Sequence, residues 1–301
     1  MPSANYTVID LAGLPPPQAI APVSAETELS NLLADFKTRY PQYSALVESD
    51  PIMKLAETFA YRLALEVQNR NEAIQAVMLA YAEGPDLDQI GANLGVQRLT
   101  ITPADNTTIP PTPAVMEQDT PYRSRIQLAP EGLSTAGPSA GYIYFAKSAS
   151  PLVLDADVST PSPGTVNVYV LSTVGNGVPD AALLQTVSNA VTPDTVRPLT
   201  DNVQVLPATV VNYSITAVLT LFQGPDQSVV LSAAQAAAAA YAASVQRIGY
   251  GVATSGIYAA LQQTGVQSVS LSGWGGDIPG AVGQAPYCTG INITVAGTPG
   301  V

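Results

Sequence analysis

The sequence contains no histidine and a single cysteine, Cys288. The missing imidazole removes Ser-His-Asp and Cys-His catalysis, His-ligated metals and the commonest general base. A lone cysteine forms no intrachain disulfide. Its neighbours Pro286, Tyr287, Thr289 and Gly290 offer neither a base nor a positive charge to activate it, so it reads as a half-buried structural thiol. Charge is scarce as well: charged residues make up 11% of the chain and the net charge is −12, against about 25% charged residues in ordinary soluble domains. Beyond residue 150 there is no glutamate, and the only basic residues are Arg197 and Arg247. Nucleic-acid binding needs clustered Lys and Arg, so none is expected. A surface of Thr, Ser, Asn, Gln, Ala and Val desolvates cheaply, which suits subunit interfaces. A compositional bias of the source organism would give the same picture. No run of 18 uninterrupted apolar residues occurs. The nearest, Val229–Val245, is Ala-rich and reads as a buried helix of a soluble domain, so no membrane partner is expected. The start, MPSANYTVIDLAGL, lacks the basic and apolar regions of a secretory signal, so synthesis and folding in a cytoplasm are expected.

Paired carboxylates of the glycosidase kind remain arithmetically open. The nearest pairs in sequence are Asp86/Asp88 and Asp155/Asp157. Asp86 reads as a helix N-cap with Asp88 in the first turn. Asp155 and Asp157 alternate within a strand and are expected to face solvent. Gly175-Asn-Gly177 and Gly273-Trp-Gly275-Gly276 read as turns, neither opening a helix with phosphate-loop spacing. No catalytic residue, cofactor or metal is assigned, and the chain is expected not to be an enzyme.

What the sequence does contain is Asp50–Glu83, DPIMKLAETFAYRLALEVQNRNEAIQAVMLAYAE. Asp50 suits an N-cap, Pro51 the first helical position, and Gly84-Pro85 a stop. The spacing predicts one helix of roughly 50 Å, several times the usual length. Its apolar residues follow a loose heptad: Met53, Ala60, Val67, Ile74 and Tyr81 on one row, Ala56, Leu63 and Val77 on the next. Ile52, Phe59 and Met78 widen the stripe, and Arg70 interrupts the second row. Two readings stand. The helix is the core of one domain with Arg70 reaching outward, or it is a bundle seam shared with another chain, its register set by one polar residue.

The fold class expected is α+β: an N-terminal helical segment with one long helix, then two small α+β domains. Residues 1–99 form an arm and a helical domain, with proline-rich 1–23 as the arm, a short strand at Tyr6, Val8 and Ile9, and helices over Ser24–Tyr40, the long stretch and Asp86–Leu94. Residues 100–119, rich in Thr and Pro, form a linker with at most short strands. Residues 120–208 and 209–301 form the middle and C-terminal α+β domains. From 166 to 272 the order β-α-β-β-α-α-β fits either a split β-α-β sheet or two smaller units. Trp274, in a Gly-rich loop over Ser272–Pro286, is either a binding tip or a plug of its own domain.

Several colinear segments resemble one family. They are Asp50–Leu99, ending EGPDLDQIGANLGVQRL; Tyr122–Ser150, YRSRIQLAPEGLSTAGPSAGYIYFAKSAS; Pro161–Ser172, PSPGTVNVYVLS; Val196–Val205, VRPLTDNVQV; and Ala285–Val295, APYCTGINITV. Together they resemble the baseplate J-like wedge proteins of contractile-tail phages and R-type tailocins, over nearly the whole chain. The resemblance implies a structural subunit present in several copies around a tail axis, as a homodimer or ring. It implies long helices bundled with partner wedge subunits of the tail protein I-like and lysozyme-like kinds, in a ring around a central hub and spike. The location implied is a virion or tailocin baseplate, after synthesis in the bacterial host cytoplasm. Carried onto this sequence, the bundle residues are Leu55, Phe59, Leu63, Val67, Arg70, Ile74, Val77 and Tyr81, and Trp274 marks a second candidate contact. The rival readings are an adhesin or receptor-binding tail protein and a carboxylate-dependent glycosidase.

Overall fold

The computed structural model describes residues 9, 11, 14–42, 47–134, 136–224 and 226–296. The strand expected at Tyr6–Ile9 lies largely outside them. By chain contacts the molecule divides into two units, Ile9–Gln97 and one that begins at Arg98.

In the first unit, Ser24 caps α1 (Ala25–Arg39) by accepting from the Thr27 amide. Glu26 and Glu28 sit in its first turn, Lys37 and Arg39 in its last, each complementing the helix dipole. Asp50 caps α2 (Pro51–Ala76) through a 2.9 Å bond from the Ile52 amide, and Pro51 opens the helix. The helix therefore ends seven residues before Glu83 and spans roughly 39 Å. Nothing in the local sequence breaks it there. At Val77 the backbone turns to φ −94 and ψ 0, and the Tyr81 and Ala82 amides both donate to the Met78 carbonyl. Ala82 is buried at the end of this short connection. Gly84-Pro85 then serves as a beginning, not an end: it forms the first turn of α3 (Gly84–Asn93). Glu83 occupies the N-cap position, leaving Asp86 in the first turn instead of at the cap.

α1 packs along α2. Leu29, Leu32, Leu33 and Phe36 of α1 are half-buried, and no α1 residue is fully covered. On α2 the covered row is Ala60, Ala64 and Asn71. Asn71 holds the proline-rich arm: its Oδ1 accepts from the Ala21 amide at 3.1 Å and its Nδ2 donates to the Ala21 carbonyl at 2.7 Å.

The second unit opens with a ribbon, β1 (Thr100–Thr102) paired with β2 (Val115–Met116), extended by an Asp105–Thr112 bridge. Its base is fixed by a buried ion pair. The Arg125 Nε donates to Glu117 Oε1 at 3.0 Å while Glu117 Oε2 accepts from the Leu99 amide. The two side chains are 4% and 6% exposed, and both Arg98 and Arg125 lie against the Tyr122 ring. α4 (Asp119–Leu128), a 3-10 turn (Ala129–Leu133) and α5 (Ser139–Ala149) follow.

Two separate three-stranded sheets then form. In the first, β3 (Val153–Ser162) and β4 (Thr165–Ser172) make an antiparallel hairpin, and α6 (Ala181–Val191) returns the chain to β5 (Asn202–Pro207), parallel to β4. Val166, Val168 and Val170 meet Tyr142, Ala146 and Val187 in its core. In the second, β6 (Thr209–Leu221) lies between β7 (Val266–Leu271), antiparallel, and β8 (Gln284–Val295), parallel. α7 (Gln227–Val245) and α8 (Thr254–Leu261) cover one face, where Ile215, Leu219, Ala234, Ala238 and Ile257 meet. A small cluster of Leu171, Ala208, Ile248 and Ala285 joins the two sheets. Of the two topologies the element order allows, the two smaller sheets are the one observed.

α7 is long and apolar enough, by length and composition, to cross a membrane, the one such helix among the described residues. It buries Val230, Ala234, Ala238, Ala242 and Val245, every fourth residue over most of its length, so it packs on its sheet by one stripe and leaves the rest of its surface uncovered. β8 starts seven residues earlier than the strand read from Ile291.

Candidate assembly surface

α1 packs along α2, and α2 fully buries only Ala60, Ala64 and Asn71, which leaves another side of it exposed. On α2 that side carries large apolar residues. Leu55 and Phe59 are each 56% exposed and Leu63 is 41% exposed, four residues apart, so they stack along one face with Ile52 preceding them. Arg70, also exposed, continues the row two turns further on. Val67 and Ile74 lie to one side and are half-buried. The expected set is therefore not one helical seam. Val77, 75% exposed, and half-buried Tyr81 lie beyond the end of α2, because the helix stops at Ala76. The heptad rows read from sequence ran through both faces, with buried Ala60 in one row and exposed Leu63 in the other.

Trp274 is half-buried in its own fold. Its indole N–H donates to Thr254 Oγ1 at 2.8 Å, and its ring sits edge-on to Tyr213 at 6.0 Å. Of the two roles read for it, this geometry is that of a plug. Burial pushes the Tyr213 phenol pKa up, with the Cys288 thiol adding to the rise. Cys288 is partly exposed and bonded to the Gly290 carbonyl.

The pair Asp155/Asp157 departs from expectation. The alternation is right, since Ala156 joins the α5–α6 side of the sheet. The opposite face, however, is not open to water. The segment after α7 covers it, and the Ile248 amide donates to Asp155 Oδ2 at 3.0 Å. Lys147 reaches Asp155 Oδ1 at 3.3 Å, and Asp157 is 7% exposed. Sequence reasoning also missed Asn71 and the Glu117–Arg125 pair. The signal for Asn71 was a polar residue seven positions after Ala64 on the covered row; for the pair there was no local signal.

These features define a class: an α+β chain with a helical first unit, an uncovered apolar row on its longest helix and a charge-poor remainder, traits of surfaces that meet other polypeptides. Residues 48–105 match the Baseplate J-like N-terminal domain and residues 134–207 the Baseplate J-like central domain. Over 298 residues the chain is 44% identical to Baseplate protein J of Escherichia phage P2, covering 97% of this chain and 99% of that protein. The chain belongs to the baseplate J-like family.

Proposed function

We infer that the chain is a structural subunit of a phage baseplate, resident in the virion, that joins other baseplate proteins through the uncovered row of α2. The observation that carries the contact is the exposure of Leu55, Phe59 and Leu63 in a single stripe of the longest helix. A stripe of that kind has its apolar area left to bury, at about 25 cal/mol per Å², and a helix laid against it would do so. Arg70 at the end of the stripe gives such a bundle one polar position to fix register. In this reading the chain is a wedge subunit, paired or ringed around the hub and spike, with tail protein I-like and lysozyme-like wedge subunits as neighbours. The charge-poor second unit forms contacts between wedges, and the role is mechanical, not enzymatic.

The test is the double variant Leu55→Glu/Leu63→Glu in a complementation or reconstitution assay. Glutamate keeps helix propensity near that of leucine, and both sites are exposed, so thermal unfolding should move by no more than about 0.5 kcal/mol per site. Incorporation into baseplates should be lost. Normal incorporation of the folded variant refutes the role of this face.

A further inference from the structure

Basic side chains are few, 11 in the whole chain, and most of them have a visible task. Lys54, Arg98, Arg125, Lys147 and Arg197 are each ion-paired. Lys37 and Arg39 lie in the last turn of α1, where cations complement the helix dipole. Arg247 lies over the Tyr250 ring. Arg62 and Arg70 of α2 have no such task. Both are exposed, and among the described residues neither makes a hydrogen bond, an ion pair or a ring contact. They stand about 12 Å apart along the helix axis. Arg62 flanks the Leu55–Phe59–Leu63 row and Arg70 prolongs it. The acid between them, Glu66, is exposed and bonded to neither. This strip therefore carries two cations and one anion, in a chain whose net charge is −12.

A helix laid on the row must meet both guanidinium groups. We propose that the partner of this face is an apolar-striped helix of a different protein, carrying two carboxylates about two turns apart, opposite Arg62 and Arg70. The inference rests on the reading of α2 given above and adds the partner's charge and its identity as another chain. Opposite charge across a contact selects a partner by penalising like-charged ones. Arginine, weakly hydrated and forked, is the cation best suited to leave water for a carboxylate. A second copy of this chain does not supply the carboxylates. Two copies of α2 laid antiparallel, with their rows from Ile52 to Leu63 coinciding, put Arg62 opposite Met53, next to Lys54. Arg70 then falls past the start of the facing helix. The acids near that crossing are engaged, since Asp50 caps the helix and Glu57 holds Lys54. Laid parallel in register, each arginine meets its own counterpart.

The test uses the full chain in the complementation or reconstitution assay. Arg62→Glu/Arg70→Glu should lower incorporation into baseplates about tenfold or more, with the circular dichroism of the isolated chain unchanged. Arg62→Lys/Arg70→Lys, which keeps the charge, should recover most of that loss. Baseplates built with the lysine variant are then treated with a carbodiimide, which joins an amine directly to a carboxylate, and digested for mass spectrometry. The expected cross-links run from positions 62 and 70 to Asp or Glu residues of one other protein, about two helical turns apart in its sequence. Links to another copy of this chain, links to Glu66 alone, or no link overturns the proposal. So does normal incorporation of the Arg62→Glu/Arg70→Glu variant while Leu55→Glu/Leu63→Glu is excluded, an outcome that leaves the apolar contact standing and removes only the charge. Normal incorporation of both variants refutes the face itself.

Discussion

Asp157 shows how one buried carboxyl couples stability to pH. Its folded-state pKa is raised, chiefly by desolvation, so the folded protein holds this proton more tightly than the unfolded chain does. The stabilisation is complete below the unfolded value of about 4 and is lost as pH climbs through the folded value. Asp157→Asn, which is neutral throughout, should therefore be more stable than wild type at neutral pH. The gap should shrink as pH falls toward about 4. Urea unfolding of both proteins at several pH values checks this, and a constant difference across that range would contradict it. The period-2 pattern of β3 was legible in the sequence, but the fate of its second face was not. What covers Asp155 is Ile248, 93 residues further along the chain, and no local pattern carries that information.

At the scale of elements, starts were more legible than stops. Ser24, Asp50, Asp180 and Asp226 each cap the helix they precede through an observed side-chain bond, because an oxygen two or three residues before free amides is a local arrangement. The end of α2 is not local, and a Gly-Pro pair is consistent with either the end of one helix or the start of the next. Trp274 and its glycine-rich loop are held by a contact distant in sequence that only coordinates reveal. A Cβ built on Gly280 would lie 2.0 Å from the Gly249 carbonyl oxygen, and beside it Val252 and Ile278 exchange both backbone hydrogen bonds. Gly280→Ala should cost about 1–3 kcal/mol and speed hydrogen exchange at the Val252 and Ile278 amides. Gly275→Ala, with no atom within 4 Å of the added carbon, should leave both unchanged. Equal behaviour of the two variants would mean that the close approach is not a constraint.

At the scale of the molecule, the two units differ in what they bury. The second has two sheet cores and a cluster between them. In the first, α1 buries no residue fully, α2 buries two alanines and an asparagine, and the only larger apolar side chains fully buried among the described residues are Leu87 and Val96. Helices gain most of their stability from packing. A fragment of residues 98–301 should therefore melt cooperatively, while residues 9–97 alone should show weak, broad unfolding by circular dichroism. A sharp two-state melt of the shorter fragment, at several kcal/mol of stability, would refute this asymmetry. The α+β class and element order could be read from periodicity, and the family from colinear segments. The division of the long stretch into an alanine side and a leucine side could not, because small and large apolar residues satisfy the same heptad.

The grip of Asn71 on Ala21 has an evolutionary corollary. Both bonds go to the main chain of the arm, groups that every residue but proline offers alike. Side chains around that anchor can drift freely while the trace they follow stays put. Relatives that keep the asparagine should thus tolerate exchange of their leading peptides as interchangeable cassettes, whatever their spelling.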